Sequence, residues 1–231
     1  MDETRSVANR KAVFENIVNS FDCPNFSSLE ACHLEQLFAL YDQIVFDGMI
    51  SKKMERTSST IRFKVLNQHI ISRAGRCVKQ RKVYQFEFPR KLYLSLFVDP
   101  DIKVLTANGI ECYDRLSCLQ VVFEHELAHL MIMMWEIDIG RDTHGPFFVK
   151  TVKHYFGHTS CNVCFMSGDT SQPPLTPSSA MVGQKVKFYD YKSSKNHFGT
   201  LVKINRVTAV IENEQKKTVM MCWHVVRSVD A

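Results

Sequence analysis

Between Asp114 and Trp135 the chain reads DRLSCLQVVFEHELAHLMIMMW, with Leu116, Leu119, Val122, Phe123, Leu127, Leu130, Met131 and Met134 spread over most of a helix circumference. A helix that is apolar nearly all round must be buried on nearly all sides. The segment therefore predicts a central helix over about 115–135, N-capped by Asp114, around which the remaining elements pack. The same constraint makes its polar residues informative. His125, Glu126 and His129 form His-Glu-Leu-Ala-His, and unpartnered polar groups in such a helix are costly.

Two histidines four residues apart lie one turn apart on one helix face, so both rings can reach a single ion. Glu126 is the next residue round, beside the coordination position such an ion leaves open, where it can take a proton from water. A polar loop from Glu136 to Thr143 leads to His144-Gly145-Pro146. Pro146 suits the first turn of a helix over about 146–156 and Gly157 its end. The expectation is one Zn2+ held by His125, His129 and His144, with Glu126 as general base of peptide hydrolysis. The plain alternative is a structural histidine pair inside a core helix.

The other histidines read more simply. His33 and His69 are expected at the surface or in satisfied structural roles, and His154 and His158 flank a helix end where they can bond terminal carbonyls. His158 is also a candidate to support the metal ligands from behind. His197 and His224 lie toward the C-terminus, away from the site. Without an apolar leader in MDETRSVANRK, the eight cysteines are expected to be reduced, mostly as core filling. The most apolar run, LAHLMIMMW, is far shorter than a bilayer span, so the chain is expected to be soluble and intracellular.

Helices are expected over 5–20 and 28–46, the second capped by Ser27 or Ser28 and ended by Asp47-Gly48. The β-branched and aromatic stretches 59–66, 83–88 and 91–98 read as strands, with Arg73-Ala74-Gly75-Arg76 as a turn or bulge. Three prolines within SGDTSQPPLTPSSA mark 167–180 as a linker. Beyond it 184–189, 199–204, 207–212 and 218–223 read as short strands, suggesting a small SH3-like barrel.

At this point the sequence resembles the SprT-like metalloprotease family, which includes the Spartan proteases. The match rests on His125-Glu-Leu-Ala-His129 followed by His144-Gly-Pro-Phe-Phe148. Further matches are Leu37-Phe38 through Val45-Phe46-Asp47-Gly48, Arg73-Ala74-Gly75-Arg76-Cys77, Leu92-Tyr93-Leu94-Ser95, and Asp114-Arg-Leu. The resemblance covers about 28–160 and implies an α+β fold: a minigluzincin-like core of helices and a small mixed sheet, followed here by the all-β barrel. It implies zinc ligands His125, His129 and His144, catalytic Glu126, and protein substrates, in the best-known members proteins attached to DNA. The four-cysteine zinc ribbon of many members is not matched, since only Cys161-x-x-Cys164 follows the core; a second zinc there needs two more ligands, such as His158. The expected division is an N-terminal helical extension (1–27), the protease domain (28–166), the linker (167–180) and the barrel (181–231).

From Met181 onward nine Lys and Arg face four acids, so the whole net charge of +5 lies there and the first 180 residues are neutral. That asymmetry points to a polyanion, with DNA bound through 181–231, or else to a solvated lysine-rich face. The leading reading is an endopeptidase acting on nucleic-acid-associated proteins. The alternatives are a non-catalytic zinc-binding adaptor, and a nucleic-acid-binding protein with the core as scaffold.

Overall fold

A computed structural model describes residues 3–67, 73–98, 100, 102–140, 142–161, 165–167, 175–190, 195–205, 208–222 and 226–229. The chain is mixed α+β with several small sheets. It divides into two compact units, Met1–Leu94 with Ala107–Val163, and Ser95–Thr106 with Cys164–Ala231. His69, Cys164 and His224, with residues 168–174 of the expected linker, lie outside the described residues.

The first unit opens with α1 (Glu3–Ile17), whose inward stripe is Ser6, Arg10, Val13 and Ile17 at alternating spacings of four and three. α2 (Ala31–Ile44) buries Leu34, Leu37 and Tyr41. Its N-cap is Glu30 rather than Ser27 or Ser28, and the Glu30 N–H donates to His33 Nδ1 at 3.1 Å, which gives His33 its structural role. The Asp47-Gly48 turn leads into α3 (Met49–Thr57), a helix the sequence did not announce. The Asp42 carboxylate caps it, accepting from the N–H groups of Ile50 (2.9 Å) and Ser51 (3.1 Å). A capping residue so far upstream leaves no local N-cap signature.

β1 (Thr60–Leu66), β2 (Arg76–Gln80) and β3 (Val83–Pro89) form a sheet of order β1-β3-β2. β1 runs parallel to β3, and β2 antiparallel to it through the turn at Arg81-Lys82. The segment 91–98, expected as a strand, is instead α4 (Arg90–Leu94) followed by a turn. Its buried residues are Leu92, Tyr93 and Leu96, a helical rather than a period-two spacing. A short apolar run does not distinguish the two, and packing decides. Conversely, the expected turn or bulge at 73–76 leads directly into β2.

β4 (Leu105–Ala107) passes through Asn108-Gly109 into β5 (Ile110–Cys112), and then Asp114 caps α5 (Arg115–Met134). Its carboxylate accepts from Ser117 N–H at 2.7 Å, while Ser117 Oγ accepts from the Asp114 N–H at 3.2 Å. Every residue from Cys118 to Ala128 is buried, as the all-round apolar pattern requires. Phe123 is the hub of this core, with ring centroids at 5.3 Å from Phe86, 5.7 Å from Phe88, 5.9 Å from Tyr41 and 6.3 Å from Phe63. Offset aromatic pairs at such distances add to the stabilisation from area burial. α6 (Pro146–Phe156) starts at its proline and ends at Gly157, left-handed at φ 68°.

In the second unit β6 (Met166–Ser167) pairs antiparallel with β4. The five remaining strands are β7 (Lys185–Asp190), β8 (Lys195–Ile204), β9 (Thr208–Asn213), β10 (Thr218–Cys222) and β11 (Val226–Ser228). They form one antiparallel sheet of order β10-β9-β8-β7-β11. Val186, Phe188, Leu201, Ala209, Ile211 and Val226 are its buried side chains. Among the described residues no helix is long and apolar enough to cross a membrane.

Candidate metal centre

The three expected histidines meet. His125 and His129 stand one turn apart on α5, and His144 comes from the turn before α6. That turn is held by Asp142: its carboxylate accepts from His144 N–H at 3.0 Å and its carbonyl from Gly145 N–H at 3.1 Å. His144 Nε2 lies 3.1 Å from the Nε2 of both His125 and His129, and the three groups can hold one metal ion. With zinc–nitrogen bonds of about 2.0–2.1 Å, two ligands of a tetrahedral ion lie ~3.3 Å apart, so the donor set fits zinc. Phe148, one turn into α6, packs against all three rings, with centroids 4.8, 4.4 and 4.8 Å from His125, His129 and His144. His125 is buried, His129 half-buried and His144 exposed, so the cluster opens toward solvent on the His144 side.

Electrostatics keep these rings in the neutral form, which is the form that can bind a metal. Burial and the neighbouring imidazoles push His125 down to about 2, and burial with His144 pushes His129 down to about 4. Burial also lowers His144, against the opposing pull of Asp142.

Glu126 is 4% exposed. Burial pushes its carboxyl up to about 8, although the Cys77 backbone N–H donates to it and the positive charges of Arg73 and Arg76 favour its ionised form. The Cys77 N–H is available for geometric reasons. A two-residue hairpin turn joins Gln80 to Val83, which makes that pair hydrogen-bonded and alternates the pattern along β2. Cys77 and Lys79 therefore turn their backbone groups away from β3, toward the free edge.

Residues outside the expected set complete the surroundings. Glu124, which precedes His125, is 1% exposed and receives three partners from distant parts of the chain. Arg10 donates from Nε (2.9 Å) and Nη2 (2.6 Å), Tyr41 from its hydroxyl (2.7 Å), and His158 Nε2 lies 2.8 Å from Oε2. Arg10 also donates to the Phe156 carbonyl at the end of α6. Burial alone would raise the Glu124 carboxyl, but Arg10 and His158 hold it below its ordinary value. His158 thus belongs to this buried network. Sequence reasoning missed Glu124, although one more acid in an apolar helix is a signal that could have found it; its partners carry no local signal.

Among the described residues Cys112 and Cys118 are buried free thiols, whereas Cys23 and Cys32 are exposed rather than core filling. His197 stacks on Phe188 at 5.8 Å in the second unit. Compared with known proteins, the chain matches no family model and no curated protein.

Proposed function

We propose that this chain is a zinc-dependent endopeptidase of SprT-like type, with a minigluzincin-like core and a C-terminal SH3-like barrel. The observation that carries the reading is the convergence of three neutral imidazoles at 3.1 Å spacing beside the buried carboxyl of Glu126. His125, His129 and His144 would hold the ion, and one face of the cluster stays open to a substrate. Zinc, when bound, would polarise a peptide carbonyl and acidify water. A cation held by the three histidines would favour the ionised form of Glu126, and in that form the carboxylate takes the proton from the attacking water and passes it to the leaving nitrogen. Phe148 keeps the far side of the imidazoles dry.

Protein is the substrate class. With 91–97 not extended, the strand beside Glu126 is β2, an edge strand of its sheet. The outward backbone groups of Lys79 and the outward carbonyl of Cys77, whose N–H is taken by Glu126, suit it to pairing with an extended peptide. The test is Glu126→Gln in the zinc-loaded chain, assayed on unfolded protein substrates. Zinc content should persist and cleavage should fall to background; cleavage at the wild-type rate would remove Glu126 from the chemistry.

A second role, attachment to nucleic acid, is favoured by one arrangement in the second unit. Lys185 and Lys187 on β7 alternate with buried Val186 and Phe188, and Lys187 pairs in register with exposed Phe198. Lys203, paired with Val210, lies on the same face, and Glu212 interrupts it. Cations around an exposed aromatic ring suit a phosphate backbone and a stacked base. The full chain should bind single-stranded DNA in a salt-dependent way, and Lys185→Ala with Lys187→Ala should weaken binding; salt-independent binding, or none, overturns this role.

A further inference from the structure

Glu126 faces a problem of placement. Its helix fixes the Cα, but the carboxylate sits at the end of a flexible side chain and must hold one position beside the histidines. The segment before β2 approaches it closely. A Cβ added to Gly75 would stand 3.1 Å from Glu126 Cγ, 3.2 Å from Glu126 Oε1 and 2.8 Å from Val122 Cγ1. The backbone at 75 is therefore in van der Waals contact with the Glu126 side chain, at a distance that no other residue type accommodates without a shift. Two residues on, the Cys77 N–H donates to the same side chain. The loop is also tied by Tyr93 of α4, fully buried, whose hydroxyl donates to the Ala74 carbonyl at 2.9 Å.

We propose that Gly75 and Tyr93 are positioning residues for Glu126: Tyr93 anchors the Ala74 carbonyl, Gly75 lets the backbone lie against the glutamate, and together they present the Cys77 N–H to its carboxylate. The inference rests on the reading of Glu126 as the general base. It gives α4, where a strand was expected, a part in the site. It also makes β2 answer to two demands at once: its start orients the base, and its free edge lies where an extended substrate would run. A misplacement on the order of 1 Å costs such a group roughly 100-fold in rate.

The experiment uses the full chain and two readouts. The first is hydrogen exchange of the Cys77 amide in the metal-free protein, followed by NMR, with the Val78 amide, directed toward β3, as internal control. Tyr93→Phe removes one hydroxyl and keeps the ring; it should speed Cys77 exchange roughly tenfold, as expected for weakening one hydrogen bond, and leave Val78 unchanged. The second is cleavage by the zinc-loaded chain. Tyr93→Phe should lower kcat about tenfold and Gly75→Ala about 100-fold, with KM and zinc content near wild type. Adding Val122→Ala to Gly75→Ala removes the 2.8 Å contact and should restore part of kcat. Unchanged Cys77 exchange in Tyr93→Phe, or loss of zinc in step with activity, would overturn the proposal and leave Tyr93 as core packing. If the wild type cleaves nothing, the proposed function fails, whereas the exchange measurement still decides whether Tyr93 and Gly75 place Glu126.

Discussion

Half-buried Arg10 and buried Glu124, 114 positions apart, form a bidentate ion pair with a 2.6 Å contact. Glu124 is the residue immediately before His125, so the pair fastens the first helix of the chain to the helix that carries His125 and His129. Tyr41 and His158 donate to the same carboxylate, so four segments of the first unit meet at one side chain. A buried carboxylate with this many donors is stable only as a set.

Arg10→Ala should therefore destabilise the chain by about 3–5 kcal/mol, the usual cost of leaving a buried partner charge uncompensated. Urea unfolding of the metal-free protein measures it. A loss under about 1 kcal/mol would put the pair in the class of exposed ion pairs, against its burial.

Zinc content checks the ligand assignment. The purified chain should bind about one zinc in this site, through three imidazoles with a fourth position open. His144→Ala should weaken binding strongly by removing the ligand that lies 3.1 Å from both others. Full occupancy in that variant would move the third ligand elsewhere.

The acidity of Glu126 predicts a pH dependence. Its carboxyl is raised from 4.5 to about 8 in the folded chain. Between those values the folded state holds a proton that the unfolded state releases, so this group's contribution to stability falls as pH rises. A tenfold change in acidity between the two states corresponds to about 1.4 kcal/mol. In the metal-free protein Glu126→Gln should then be more stable than wild type by a few kcal/mol above pH 8, with the difference shrinking toward pH 4.5. Thermal unfolding of both proteins across that range tests the sign; a constant difference would refute it.

Two glycines separate backbone strain from close packing. Gly157 (φ 68°) ends α6 with its missing Cβ 2.7 Å from Ser6 Oγ, whereas Gly140 (φ 65°) has nothing within 4 Å. Gly140→Ala should cost about 1 kcal/mol from backbone strain alone. Gly157→Ala should cost about 0.5–1.5 kcal/mol more, because the buried Ser6 hydroxyl must turn away from its present position. Equal losses in the two variants would mean that Ser6 gives way freely.

Much of the site was legible along the chain because its signals are local. The apolar circumference of 115–134, the Asp114 cap, and the proline and glycine bounding 146–156 all act within one or two helical turns. They place His125, Glu126, His129 and His144 on named elements before any packing is considered. The strands of 185–222 were readable for the same reason, by alternation. Tertiary structure decided the rest. Whether 90–94 coils or extends depends on the surface that Leu92 and Tyr93 meet, since five apolar-rich residues satisfy either period. The cap of α3 comes from Asp42, and the donors to Glu124 from Arg10, Tyr41 and His158; none of these pairings has a spacing that a helix or strand repeat would reveal. Sequence alone supplied the helix of His125 and His129, because helix period and capping are properties of neighbouring residues. Only the fold could pair the charges beside it, because burial of a carboxylate and the arrival of its partners are settled together when distant segments close around one core.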